Sequence, residues 1–477
     1  MTKMRIIPSI LLLLAMENTV LENIAMPAVG DAEPGPTQQG ATPYAEVRNP
    51  AVLSGLKVTT GNGKLRVHAG RAKIGDKAVD LKADAILEVS APEPIPVKET
   101  VKLWPDPPRR WQSRTRLNGR SLGNFIAAPG MMVPGSARFR DSNGTLYKLN
   151  RDYVLDEEWN AAALKKGSRM KAGTPYIAEY QLGPKALDAV VLCSSGKARV
   201  LKGKPALRNP LPPEHPKDCV VLAYLYWPGA GRTMLRQENV FPKGPEWKPP
   251  AQALKMSSRI PATMAKLKSG NKVSIVCWGD SVTVGGDADP REEKRYSTLF
   301  DKALRKRYPN VTVHNVAAGG SNSRQWTEPD NPSAVKRWGD KRPRWEWIAE
   351  KKPDLVTIEF VNDCGLTRWK EFNRQYSLIL KRIRKLNAEV ILITPHFTMF
   401  AMMGSTSMRQ EDSRPYVKNL RRFAAEHNLA LADASRRWAH LWKEGLPYLS
   451  LLNNGINHPD NRGHAIFAEE LMRCFEE

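Results

Sequence analysis

The chain has 477 residues, 41% hydrophobic and 26% charged, which suits two or three packed units and excludes a disordered polar chain. Its formal charge is +24, but residues 251–477 hold 37 Lys+Arg against 26 Asp+Glu and the remainder 36 against 23, so no basic arm or tail is set apart to grip nucleic acid. No apolar run reaches membrane-spanning length, and none of the five cysteines stands in a CxxC pair, so neither a transmembrane span nor a zinc or redox motif is expected.

At the N-terminus, Lys3 and Arg5 precede the mostly apolar run Ile6–Met16, which Glu17 ends. That run is too short for a bilayer and suits the core of a signal peptide. Residues 1–32 are therefore read as a signal peptide and the Gly- and Pro-rich 33–50 as a linker. A secreted or periplasmic protein is expected. In that setting Cys193 and Cys219, which fall in one β-rich region, are free to pair.

Residues 51–245 show short alternating runs such as Lys64–His68 and Tyr176–Tyr180, separated by turn signals. Asp141-Ser142-Asn143-Gly144 reads as a hairpin turn leading into a strand at Thr145–Leu149. Val190–Cys193 and Val220–Leu225 read as buried strands. A β-sandwich-like accessory region is expected, as one domain or two small modules. Its rings (Trp104, Trp111, Tyr147, Tyr153, Trp159, Tyr176 and Tyr180) are of the type that stacks on sugars, although such residues are more often core.

Pro242, Pro245, Pro249 and Pro250 mark a second boundary. From about 255 to 477 strands and helices alternate. Strands are expected at 273–278, 311–316, 355–360, 389–394 and 429–432, and helices at 292–307, 333–350, 367–387, 412–427 and 460–475. That rhythm predicts an α/β fold, a parallel sheet covered on both faces, with ligands beyond the carboxyl ends of its strands.

Three motifs fall at such ends or in the C-terminal loop. Trp278-Gly279-Asp280-Ser281 follows the first strand, and its glycine turn would expose the Ser281 hydroxyl as a nucleophile. Alone, Gly-Asp-Ser equally suits a turn or a helix cap. Phe360-Val361-Asn362-Asp363 follows the third strand, where the Asn362 amide can donate to an oxyanion. Gly320, in a small-residue loop after the second strand, offers a backbone N–H, and the Ser281 N–H offers another. Asn457-His458-Pro459 opens the last helix, which makes His458 the best base among eight histidines. His464 and His314 read as structural, and His396 remains a lesser candidate.

Together these residues resemble the SGNH (GDSL-like) hydrolases, named for a serine, glycine, asparagine and histidine in four blocks. Gly279-Asp280-Ser281, Gly320, Asn362 and His458 fall on the blocks in order, over about residues 270–477. The resemblance implies a flavodoxin-like three-layer domain. It also implies an esterase in which Ser281 attacks, His458 is the base, Gly320 and Asn362 hold the oxyanion, and no metal or cofactor takes part. Two positions depart from the pattern. Phe360 replaces the third-block glycine, which is expected to reshape the pocket. Gly455 stands where the triad aspartate three residues before His458 is usual. Asn454, a backbone carbonyl, Asp460 and Asp433 are the candidates to support His458 in its place.

The expected substrate is a small-molecule or polysaccharide ester, with O-acetylated carbohydrate favoured by the accessory region and by export. Two rivals stand beside it: a non-catalytic carbohydrate-binding or adhesion protein with a degenerate hydrolase domain, and a lipase or thioesterase. For the latter, Phe397–Met403 is the one candidate acyl-channel wall.

Overall fold

The computed structural model describes residue 47 and residues 49–61, 63–119, 129–248, 255–328 and 330–476. The expected signal peptide and nearly all of the linker lie outside the described residues.

Beyond Pro261 the chain builds a five-stranded sheet. Strands Val273–Gly279, Val311–Ala317, Leu355–Glu359, Glu389–Ile393 and Ala430–Ala432 are all parallel, in the spatial order 2-1-3-4-5. This is the flavodoxin-like order. The strands are continuous apolar runs because both faces are covered. On one face, helices Tyr296–Arg307 and Asn461–Arg473 pack Phe300, Leu304, Phe467 and Leu471 onto Ile275 and Cys277. On the other, helices Trp369–Arg384 and Pro415–Glu426 pack Phe372, Ile379 and Leu420 onto Val276, Trp278 and Ile358.

The helix expected at 333–350 is broken into Pro332–Trp338, a short turn at Gly339–Lys341 and Glu346–Ala349. Gly339 adopts φ +53° and Pro343 follows, so the helical pattern cannot run through. The helix Ala434–His440, which Asp433 caps, was not expected.

The preceding region is β-rich throughout, and its sheets are antiparallel. It is more divided than one sandwich. Two three-stranded sheets from residues 52–88 share a core with a four-stranded sheet of Ala198–Leu201, Ala186–Cys193, Cys219–Trp227 and Val240–Pro242. A second core lies around Ile95–Lys102 and Pro175–Leu182. The turn at Asp141–Gly144 forms as expected, but Thr145–Leu149 makes only isolated bridges rather than a strand. Tyr153, Trp159, Tyr176 and Tyr180 are buried, so these rings are core and not sugar platforms.

The four-stranded sheet is buried on both faces, which is why Ala186–Cys193 is apolar throughout rather than alternating. One face meets the N-terminal sheets. The other places Leu187, Val191, Tyr226 and Phe241 against Trp442, Met408 and Leu449 of the α/β region. Cys193 and Cys219 are joined in a disulfide across neighbouring strands of this sheet. Among the described residues no helix is long and apolar enough to cross a membrane.

Candidate active site

The site sits where the strand order reverses, between the carboxyl ends of the first and third strands, the usual crevice of an open parallel sheet. The first strand ends at Gly279. A Cβ there would lie 2.1 Å from Thr283 Oγ1 and 2.2 Å from the Glu359 carbonyl oxygen, so only glycine permits the turn. Asp280 then caps the short helix Ser281–Val284, its carboxylate accepting the Val282 N–H at 3.1 Å. Ser281 is the first residue of that turn, so its own N–H has no intrahelical acceptor.

The Ser281 hydroxyl lies 2.9 Å from Nε2 of His458, and Nδ1 of His458 lies 3.0 Å from Oδ2 of Asp287. The three side chains form one continuous hydrogen-bonded line. With Nδ1–H donating to the carboxylate, Nε2 is left to accept the serine proton. Asp287 was not among the expected supports. It sits six residues past Ser281, at the end of Gly285-Gly286-Asp287, on a loop that turns back under the histidine. Gly286 donates to the Ser281 carbonyl at 2.7 Å, and a Cβ on it would stand 3.0 Å from the His458 ring. Asp287 itself adopts φ +60°, a left-handed conformation that an aspartate tolerates better than most residues. Asn453 holds it by donating to its carbonyl at 3.1 Å.

Burial pushes the Asp287 carboxyl up, but the His458 hydrogen bond and charge, with Arg208 and Arg291 nearby, outweigh it and hold the group below the ordinary carboxylate range. Asp287 is therefore an anion beside the imidazole at neutral pH. Arg208 belongs to the β-rich region, so that region reaches the edge of the site. Its neighbour Asn209 donates to Asp460 at 3.0 Å.

The other candidate supports are engaged elsewhere. The Asn454 side-chain oxygen accepts the N–H groups of Ile456, Asn457 and His458, each at 2.9 Å, so it shapes the loop and does not orient the ring. Asp460 caps the last helix and pairs with Arg462. Asp433 caps Ala434–His440 and pairs with Arg421. Two other histidines are structural. His396 is fully buried with Nε2 2.8 Å from the Asn457 carbonyl oxygen, and burial with the nearby Arg414 charge keeps it neutral. His464 packs its Nε2 3.2 Å from the Gly286 carbonyl oxygen, with burial pulling its pKa down to about 4.

The expected oxyanion donors are drawn together by a tether. The Asn362 backbone N–H donates to Asp280 at 2.9 Å, and its side-chain amide donates to the Ser321 carbonyl at 3.1 Å. Asn362 thus bridges the serine turn and the loop carrying Gly320, which adopts φ +69°. The Arg337 guanidinium secures that loop through the Gly320 carbonyl at 3.1 Å and the Gly319 carbonyl at 3.2 Å. Phe360 does not enter the pocket. It is buried below the sheet end, edge-on to Trp278 with ring centres 5.1 Å apart.

Beneath the serine turn lie three buried carboxyls. Burial raises Asp280 to about 7 and Asp363 to about 6 and pushes Glu359 well up. Among the described residues no group of three His, Cys, Asp or Glu side chains is arranged to hold a metal ion.

Residues 277–466 match the family model described as GDSL-like Lipase/Acylhydrolase. No curated protein matches the chain. Among solved structures, the chain is similar to a two-domain esterase (CEX) active on acetylated mannans, co-crystallized with mannopentaose. That likeness has 20% identity over 45% of this chain and 52% of the other, with TM-score 0.34. The chain thus spans about half the length of that protein. It is also similar to Axe2, an acetylxylan esterase from Geobacillus stearothermophilus, at 20% identity over 43% of this chain and 94% of Axe2, TM-score 0.33. A third likeness is LAE5, an alpha/beta hydrolase enzyme from the metagenome of Lake Arreo, Spain, at 20% identity over 44% of this chain and 99% of that one, TM-score 0.33.

Proposed function

We propose, from the premise that residues 277–466 form a GDSL-like acylhydrolase domain, a family of hydrolases acting on ester bonds, that this protein is a serine esterase working through an acyl-enzyme. The observation that carries the reading is the unbroken line from Ser281 Oγ through His458 to Asp287. Ser281 attacks the ester carbonyl while His458 Nε2 takes its proton. Asp287 stabilises the imidazolium that results. The oxyanion forms beside the Ser281 and Gly320 N–H groups and the Asn362 amide, donors fixed before the reaction starts. Collapse of the tetrahedral intermediate expels the alkoxide, which takes the proton from His458. Water, deprotonated by His458, then attacks the acyl carbon and frees Ser281.

The intact line argues against a degenerate, purely binding domain, because a missing acid was the main ground for that rival. A short acyl group fits better than a lipid chain. Phe397 and Met403 are buried in the core around Trp438 and Tyr448, so only part of Phe397–Met403 is left to form a wall. O-acetyl groups on carbohydrate are the substrate class we favour. The ground is a β-rich region packed tightly against the hydrolase fold, where it adds surface for a bulky alcohol.

The test is hydrolysis of p-nitrophenyl acetate, butyrate and octanoate by the full chain and by Ser281→Ala. Acetate turnover that vanishes in the variant supports the reading. Octanoate preference moves it to lipids. Equal background rates in both proteins overturn it.

A further inference from the structure

The junction of the β-rich and α/β regions encloses a cleft of about 800 Å³. Ligand sites commonly span about 300–1,000 Å³, so this one has room for several sugar rings. Pro129, Tyr226 and Gly229 form one side, and Met399, Phe400 and Thr406 face them. Gly455, three residues before His458, lies on the edge of the cleft. The adjacent Ile456 accepts the Met399 N–H at 2.7 Å, so the cleft wall and the histidine loop share a backbone connection.

Lys185 lines this cleft and is 6% exposed. Its ammonium has no hydrogen-bond or ion-pair partner among the described residues. Burial alone lowers its pKa, to about 8, and no nearby charge opposes that. Two other buried ionic groups are paired: Arg414 with Asp412 at 2.6 Å, and Asp188 with Lys202 at 3.1 Å. An unpaired buried charge is costly, of order several kcal/mol. The fold does not require a lysine at this position. Its backbone N–H and C=O pair with Ala206, both at 2.8 Å, which any residue would do. The other charged groups at the cleft, Glu158 and Arg232, are exposed on its rim.

We propose that the cleft binds a carboxylate-bearing oligosaccharide, with a uronate carboxylate received by the Lys185 ammonium. Its ring faces lie against Met399 and Phe400, and its hydroxyls meet Ser405 and Thr406. From there the chain runs past Gly455 towards His458. That this ligand is the alcohol part of the ester rests on the esterase reading; its binding does not.

The experiment is calorimetric titration of trigalacturonate, and of its fully methyl-esterified form, into the full chain carrying Ser281→Ala, where no turnover interferes. The same titrations are made with Lys185→Met and with Ala401→Trp, which fills the exposed mouth. Saturable binding of the acid is expected, at least about tenfold weaker for the neutral ester and for Lys185→Met, the loss of roughly one charge-assisted contact. Ala401→Trp should abolish it. Equal affinity for acid and ester, indifference to either substitution, or no saturation overturns the proposal. If Lys185→Met fails to fold, Ala401→Trp and the acid–ester comparison decide. Failure of the esterase reading would instead appear as equal p-nitrophenyl acetate rates in the wild type and Ser281→Ala.

Discussion

Asp287 and His458 stand 171 residues apart in the chain, and Asp287 Oδ2 lies 3.0 Å from Nδ1 of His458. In the proposed triad the acid thus comes from the loop after Ser281 rather than from the segment before His458. Asp287→Asn should lower kcat on p-nitrophenyl acetate by about 10²–10⁴, with KM changed little, because the amide favours the wrong imidazole tautomer and cannot balance its charge. Asp460→Ala and Asp433→Ala should lose melting temperature instead, since those carboxylates cap helices. Steady-state kinetics and thermal melts on the three variants separate the roles.

Arg337 holds the loop proposed to carry an oxyanion donor, through the carbonyls of Gly319 and Gly320, with its guanidinium 4.5 Å from the Trp338 ring centre. Arg337→Met should lower kcat about tenfold while KM holds, as a donor loop set slightly out of place would. Asn362→Ala removes a donor outright and should cost about 10²–10³. A rise in KM with unchanged kcat in Arg337→Met would assign the residue to substrate binding.

Phe360→Gly restores the residue usual at this position in the family the sequence resembles, yet it empties a fully buried site against Trp278. Loss of stability of about 3–5 kcal/mol is expected. Chemical denaturation checks this, and a gain in activity would show that the ring does shape the pocket.

The three carboxyls under the serine turn predict how stability depends on pH. Asp280 at about 7, Asp363 at about 6 and Glu359 all stand above their unfolded values near 4. The unfolded chain therefore releases these protons first as pH rises, so these three groups lower stability from about pH 4 upwards. The lowered carboxyls Asp287 and Asp412 act oppositely only below about pH 4, whereas His396, His440 and His464, which burial keeps neutral, act oppositely up to about pH 6.5. Calorimetry at pH 4.5, 6 and 7.5 should show Glu359→Gln gaining melting temperature relative to the wild type as pH rises. The amide costs little there, because Glu359 Oε1 has no partner to lose.

Lys185 has a folded pKa of about 8 against 10.5 unfolded, so at pH 7 both states are charged and the folded state bears the desolvation. Lys185→Met should stabilise the protein by about 2–3 kcal/mol at pH 7. The gain should shrink as pH rises from about 8 towards 10.5, where the lysine becomes neutral when folded. Denaturation at pH 7 and pH 10 checks both.

The chain alone determined the parallel α/β region. Strands covered on both faces must be continuously apolar, and Val273–Gly279, Leu355–Glu359 and Glu389–Ile393 are legible as such without neighbours. It also determined where Ser281, Gly320, Asn362 and His458 stand, because each lies at a strand end or helix start marked by local turn chemistry. Asp287 was hidden because its role depends on contact across 171 residues. Gly285-Gly286-Asp287 was the one available signal, a glycine pair able to return an acid towards the serine. Breaks such as Gly339 in the 333–350 helix carried local signals that periodicity outvoted. The placement of the β-rich region could not be read at all. Whether Ala186–Cys193 buries one face or two, and whether Lys185 meets solvent or a cleft, depends on which distant surface packs against it, and only the tertiary structure decides that.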